Sequence, residues 1–253
     1  MSDFVGELLG SRDLANLASR IYRLADALRA KLVSNPVKRA DVALIFFFAR
    51  CFKSFRASVE LLRLGFWQDA ALVARVLREA AYQAFWIARG GDEVGKLFLE
   101  NHERNRRKVM RDLAKHGDPE IKPKAQEVVD SVPRDKALDD WWRSWWSPKW
   151  EEGVRWLAEH VGHGHAHRFE YGTLSAFVHT SPALLGHYLH EGADGVVLET
   201  RPGVSDDNRD FADAIVFSIF ASFVDVCALT AQQFGLDHED EIKEITECVR
   251  QLA

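Results

Sequence analysis

Tyr171, Ser175 and His179 recur at four-residue steps within RFEYGTLSAFVHTSPALLGHYLH, residues 168–190. On a helix, residues four apart lie one above another. A phenol, a hydroxyl and an imidazole in one row have the chemistry of an acid–base site or of a hydrogen-bonded helix seam. At about 100° per residue, Ser175 and His179 fall within roughly 80° of Tyr171, among Leu174 and Val178, so the row is expected to face inward. Gly172 and Ala176 would let another helix approach closely. The residue before a proline avoids helical geometry, so Ser181-Pro182 sets the helix end near Thr180. His179 then sits in a last turn, where carbonyl dipoles favour its protonated form.

Buried polar groups need partners, and an earlier helix offers Arg75, Arg78, Glu79 and Tyr82 on one face. That face lies opposite the helix's apolar centre, which favours solvation, but Leu72 and Trp86 share it, so it is not expected to be bare. A carboxylate at Glu79 would fix the tautomer of His179, while Arg78 or Arg75 would hold an anion or stabilise developing negative charge. The candidate catalytic set is therefore His179, Glu79, Tyr171 and Ser175, with Arg78 and Arg75 as anion-binding residues. The competing expectation is a polar network that keeps two helices in register.

Other clusters weigh less. His160, His163, His165 and His167 crowd a Gly/His segment, and His187 and His190 sit three apart. There is no HExxH, and no carboxylate three residues before a histidine as in di-iron bundles, so no native metal site is expected and the segment reads as a loop. Arg104, Arg107, Lys108, Arg111 and Lys115 form a basic stripe that reads as a solvated face diluted by Glu103 and Asp112, with a surface that tracks nucleic-acid phosphates as the alternative. Trp141, Trp142, Trp145, Trp146, Trp150 and Trp156 are six of the eight tryptophans. They suit core or interface packing, with base stacking as the alternative. Glycine-rich phosphate loops, Walker-type lysines and GxSxG elbows are missing, and no cofactor is expected.

The elements that would position these residues are helices. Leu14, Leu17, Ile21, Leu24, Leu28 and Leu32 mark a first amphipathic helix ended by Asn35-Pro36. A second, about 38–64, has Ile45, Phe48, Phe52, Phe55, Val59 and Leu62 as its core stripe. Gly65 turns tightly into a third, 67–89, with Val73, Val76, Ala80, Ala84 and Ile87 facing the core, so the pair must be antiparallel. Gly90-Gly91 breaks the chain before a fourth helix, about 92–115. A helix from Pro148 to about His160 precedes the Gly/His segment. Residues 191–204 read as irregular. Ser205 has N-cap chemistry for a helix over 206–234, and Ile242, Ile245, Val249 and Leu252 mark a closing one. The expected class is all-α: a single-domain up-and-down bundle of about seven to nine helices over 1–253. Helices at 4–34 and 238–252 would pack on a core of about 40–235.

With 47% apolar and 28% charged residues, the composition is that of an ordinary globular protein, and a net charge of −5 implies no bulk attraction to nucleic acid or membrane. Cys51, Cys227 and Cys248 have no paired spacing, which fits a reduced, cytoplasmic setting. Phe211–Ala231 is long enough to span a membrane, but Asp213 and Asp225 oppose it, and no membrane partner is expected. RNA or another anionic ligand is the candidate partner, and a homodimer is a candidate assembly.

The run SFRASVELLRLGFWQDAALVARVLREAAYQAFWIAR, then NHERNRRKVM and YGTLSAFVHTSPALL, resembles an uncharacterised bacterial domain-of-unknown-function family. In that family a helical hairpin ends in an Arg-Glu pair, here Arg78 and Glu79. A later helix carries Tyr-x3-Ser-x3-His, here Tyr171, Ser175 and His179, followed by Ser-Pro. The resemblance covers about residues 40–235, leaving out the first helix, the Trp block and the Gly/His segment. Some members are similar to helical proteins of phage-defence and toxin systems, including HEPN ribonucleases, which use an Arg and a His without metal. Their Arg-x4–6-His spacing is absent here, where Arg168 lies eleven residues before His179.

Overall fold

A computed structural model of the chain describes residues 12–32, 38–131, 146, 153–171, 174–175, 177, 189–192, 195–198 and 209–252. The fold is all-α. Its helices are α1 (Arg12–Leu32), α2 (Arg39–Arg63), α3 (Trp67–His116), α4 (Lys122–Ser131), α5 (Val154–His160), α6 (Gly164–Ala166), α7 (Arg209–Phe234) and α8 (Glu239–Arg250). A π-helical turn, His167–Tyr171, follows α6 directly. Among the described residues there is one small antiparallel pair of strands, β1 (Leu189–Gly192) with β2 (Gly195–Leu198), in which Leu189 pairs with Leu198.

The leucine row of α1 is buried throughout, as its spacing predicts. Helix α2 buries Phe48, Phe52, Phe55, Val59 and Leu62, adds Phe47 and Cys51, and leaves Ile45 half-buried. Gly65 makes the corner at φ 83°, a left-handed conformation that costs glycine little. The two expected helices beyond it form the two lengths of α3, which meet where Gly91 leaves helical geometry at φ 60°, ψ −146°. Gly95 then lies so close to the start of α2 that a Cβ there would come within 2.6 Å of the Ala40 backbone. Asp92 accepts the Ala40 amide at 3.2 Å, so the second length of α3 also caps α2.

Helix α7 is central. By length and apolar content it could cross a membrane, yet about two thirds of its most apolar window is buried. Its Phe223 ring stacks on Phe52 and Phe55 of α2 at centroid distances of 5.5 and 4.7 Å. Gly235, at φ 60°, ends the helix. Helix α8 buries Ile242, Ile245 and Val249 and ties back to α1 through Arg20 and Glu244, 2.9 Å apart.

Four expectations need correction. Val76 does not face the core; it is 39% exposed, and Val73 is half-buried. The buried side of α3 is built from Ala70, Ala71, Ala74, Leu77, Ala80, Ala81, Ala84 and Ile87, whose small side chains let α2 and α7 approach. The Arg78/Tyr82 face is not solvated, because both residues are buried. The Gly/His segment is a loop only over residues 161–163; from Gly164 it is helical, with α6 running into the π-turn. The stretch after Glu191 contains a strand pairing rather than irregular chain alone. The ends expected at Ser181-Pro182 and Ser205, and Trp141, Trp142, Trp145 and Trp150, lie outside the described residues.

Candidate functional site

The face of α3 opposite its alanines is covered by α5, His163 and the π-turn. Within α3, Arg75 and Glu79 lie one helical turn apart, and the Arg75 Nε donates to Glu79 Oε1 at 3.1 Å. Tyr171, the last residue of the π-turn, reaches both. Its hydroxyl donates to Glu79 Oε1 at 2.5 Å and accepts from Arg75 at 3.1 and 2.8 Å. The Arg75 guanidinium also lies over the Tyr171 ring, 5.0 Å from its centre. One phenol thus joins a cation and an anion on the neighbouring helix.

The electrostatics follow from that placement. Burial, and next the bond to Glu79, push the Tyr171 hydroxyl up to about 12 against the opposing pull of Arg75. Tyr171 therefore stays protonated at any physiological pH. Burial alone would lower Arg75, but Tyr171 and Glu79 outweigh it and raise its pKa.

One turn before Tyr171 stands His167, 7% exposed, its ring stacked on the Tyr171 ring at 4.3 Å and 21°. Its Nδ1 is buried without a hydrogen-bond partner among the described residues. Burial lowers its pKa first. Arg155 and Arg78 act in the same direction, against Glu159 and Glu79. His167 is therefore held as a neutral imidazole amid charged groups of both α3 and α5. Tyr82, fully buried, faces His163 and His167 at 5.7 and 5.9 Å, with the Arg78 guanidinium 5.9 Å from its own ring centre.

Of the residues chosen from sequence, the structure joins Arg75, Glu79 and Tyr171. Arg78 is 3% exposed and lies beneath Tyr82. Ser175 is half-buried on the chain beyond Tyr171. His179 lies outside the described residues, and so does its expected contact with Glu79. His167 was missed, although it precedes Tyr171 by four residues and extends the row. Glycines around it read as a loop, and a π-turn fits no 3.6-residue template.

The other histidines of the Gly/His cluster are spread along α5 and the chain after it. His160 stacks on Trp156 at 3.8 Å, His163 faces Phe85 at 4.9 Å, and His165 is exposed. Among the described residues, no three His, Cys, Asp or Glu side chains converge as metal ligands. The basic stripe is not wholly solvated: Arg107 is buried while Lys108, Arg111 and Lys115 are exposed, and the Arg104 side chain is outside the described residues.

Fold and site together define a helical-bundle protein with a polar clamp between one long helix and a π-turn. The chain belongs to a family of unknown function (DUF5677), matched over residues 41–196, well over half its length. The match takes in Arg75, Glu79, His167 and Tyr171. It also includes the Trp block and Gly/His segment that the resemblance had left out, and stops short of residue 235. No curated protein and no solved structure matches the chain.

Proposed function

We propose that His167, Tyr171, Glu79 and Arg75 form a metal-independent acid–base site for an anionic substrate, with an RNA phosphodiester as the class. The observation that carries this is the neutral, buried His167, stacked on a tyrosine whose hydroxyl bridges an arginine and a carboxylate. Glu79 is engaged by Arg75 and Tyr171, an arrangement that suits a fixed dipole better than cation ligation. RNA fits because its own 2′-hydroxyl is the nucleophile. His167 takes that proton, Arg75 stabilises charge on the phosphoryl oxygens, and a second group protonates the leaving 5′-oxygen. His179, in the same four-residue row, is the candidate for that acid, with Ser175 between them. A toxin-like role in defence or stress would follow from such cleavage.

The test pairs RNA with DNA of the same sequence. Wild-type protein should cleave RNA alone, and His167→Ala should slow cleavage about 10²–10⁴-fold with folding intact. Undiminished cleavage by the variant would reject the proposal. A second reading, a non-enzymatic interaction or sensor module, draws on the mutual satisfaction of Arg75, Glu79 and Tyr171. In that case Tyr171→Phe would lower stability, and any cellular effect would follow folded protein level.

A further inference from the structure

We infer that Trp156, His160 and Trp86 form a stacking subsite for an unpaired base of single-stranded RNA, beside the acid–base centre. This rests on the phosphodiester reading above and narrows its substrate to single strands. Trp156 and His160 stack at 3.8 Å and 25°, and Trp86 closes the corner 5.4 Å from Trp156 and perpendicular to His160. Both indoles are half-buried, but His160 is exposed, so the stack ends in a ring that solvent reaches. That ring is held before any ligand arrives. Its Nδ1 lies 2.9 Å from the Trp156 carbonyl oxygen, and the His160 carbonyl accepts from Arg89. A rigid aromatic face loses little freedom when a base stacks on it.

The surroundings suit a polyanion. Arg155 and Arg168 converge on the single carboxylate of Glu159, at 3.0 and 3.9 Å, so these three side chains together with Arg89 carry a net positive charge. The location also fits. Trp156, His160, His163 and His167 follow at steps of four, three and four, and all face α3. From Glu79 to Trp86 is seven residues of α3, about 10 Å. A base at the corner and a phosphate at His167 can therefore belong to neighbouring nucleotides of one strand. Mere packing of α5 on α3 would need the indoles but not an exposed imidazole continuing their stack.

The test compares a 2′-O-methyl oligouridylate, which lacks the nucleophile and is not cleaved, with an abasic oligomer of equal length and charge. Fluorescence anisotropy should show the base-bearing strand bound about tenfold tighter. His160→Ala, at an exposed position, should reduce that ratio, and Trp156→Ala should bring it close to one, both without weakening abasic binding. Circular dichroism checks the fold. Equal affinity of wild type for the two strands, or a ratio that survives both substitutions, overturns the subsite. Base-selective binding without cleavage of ordinary RNA would reject the acid–base reading and leave the subsite standing. Cleavage without base preference would do the reverse.

Discussion

Helix α3 is buried on two sides that use different physics. Toward α2 and α7 it presents alanines, Leu77 and Ile87, and the contact is a matter of volume. Toward α5 and the π-turn it presents Arg75, Arg78, Glu79, Tyr82 and Trp86, and the contact is a matter of hydrogen bonds, charges and ring stacking. The first side tolerates polarity poorly and holds the bundle together. The second leaves a titratable histidine nitrogen buried without a hydrogen-bond partner among the described residues, stacked on a tyrosine that joins a cation and an anion. That difference is why the proposed site is placed on the second side.

Breaking the volume-based side should have the largest effect. Leu77→Ala leaves a cavity at a fully buried position and should cost about 2–5 kcal/mol in urea denaturation. Activity per folded molecule should be retained. If activity falls further than the folded fraction, the two sides are not separable as argued.

Breaking the polar side costs less stability and more function. Tyr171→Phe removes the hydroxyl shared by Glu79 and Arg75, and about 1–3 kcal/mol should be lost. The pH dependence carries a signature. Tyr171 has its folded pKa raised to about 12 from an unfolded value near 10, so its contribution is full below pH 10 and disappears as pH rises toward 12. Tyr22 and Cys51 are also raised to about 12, so wild type and Tyr171→Phe must be compared. The variant should lose less stability than wild type across that alkaline window. Parallel curves would mean the hydroxyl is not held as described.

His167 supplies a smaller effect of the opposite sense. Its folded pKa lies below the usual histidine value, so on acidification the unfolded chain takes the proton first. Stability from this residue is full above about pH 6.5 and falls as pH drops toward the folded pKa. His167→Phe keeps a ring against Tyr171 and cannot titrate, so its denaturation midpoint should change less between pH 7.5 and pH 5. An unchanged pH slope would show that the imidazole is not in the environment described.

The two sides also differed in how far the sequence revealed them. The heptad-like leucines of α1, the corner at Gly65 and the break at Gly91 follow from apolar spacing and glycine geometry, which are local signals. Arg75, Glu79 and Tyr171 were recognisable by type. Their joining was not, because it depends on a segment some 90 residues away docking through a π-turn. The same docking hides His167 and reverses the expectation that Arg78 and Tyr82 are solvated. A helix covered on both sides carries no single apolar stripe, so periodicity assigns one side and misreads the other.

Val76 tests that point with the smallest effect. β-Branched and apolar, it reads as core beside Leu77, yet it is 39% exposed while Leu77 is fully buried. The valine is turned about 100° round the helix from Leu77 and stays partly exposed. Val76→Ala removes two methyl groups that are already partly hydrated, and alanine's better helix propensity offsets part of what is lost. The change in stability should stay within about 0.5 kcal/mol, as for substitutions away from packed features. Set against Leu77→Ala one residue along, the contrast measures how sharply α3 divides. A cost for Val76 approaching that of Leu77 would mean that a further segment or a second molecule covers the valine in solution.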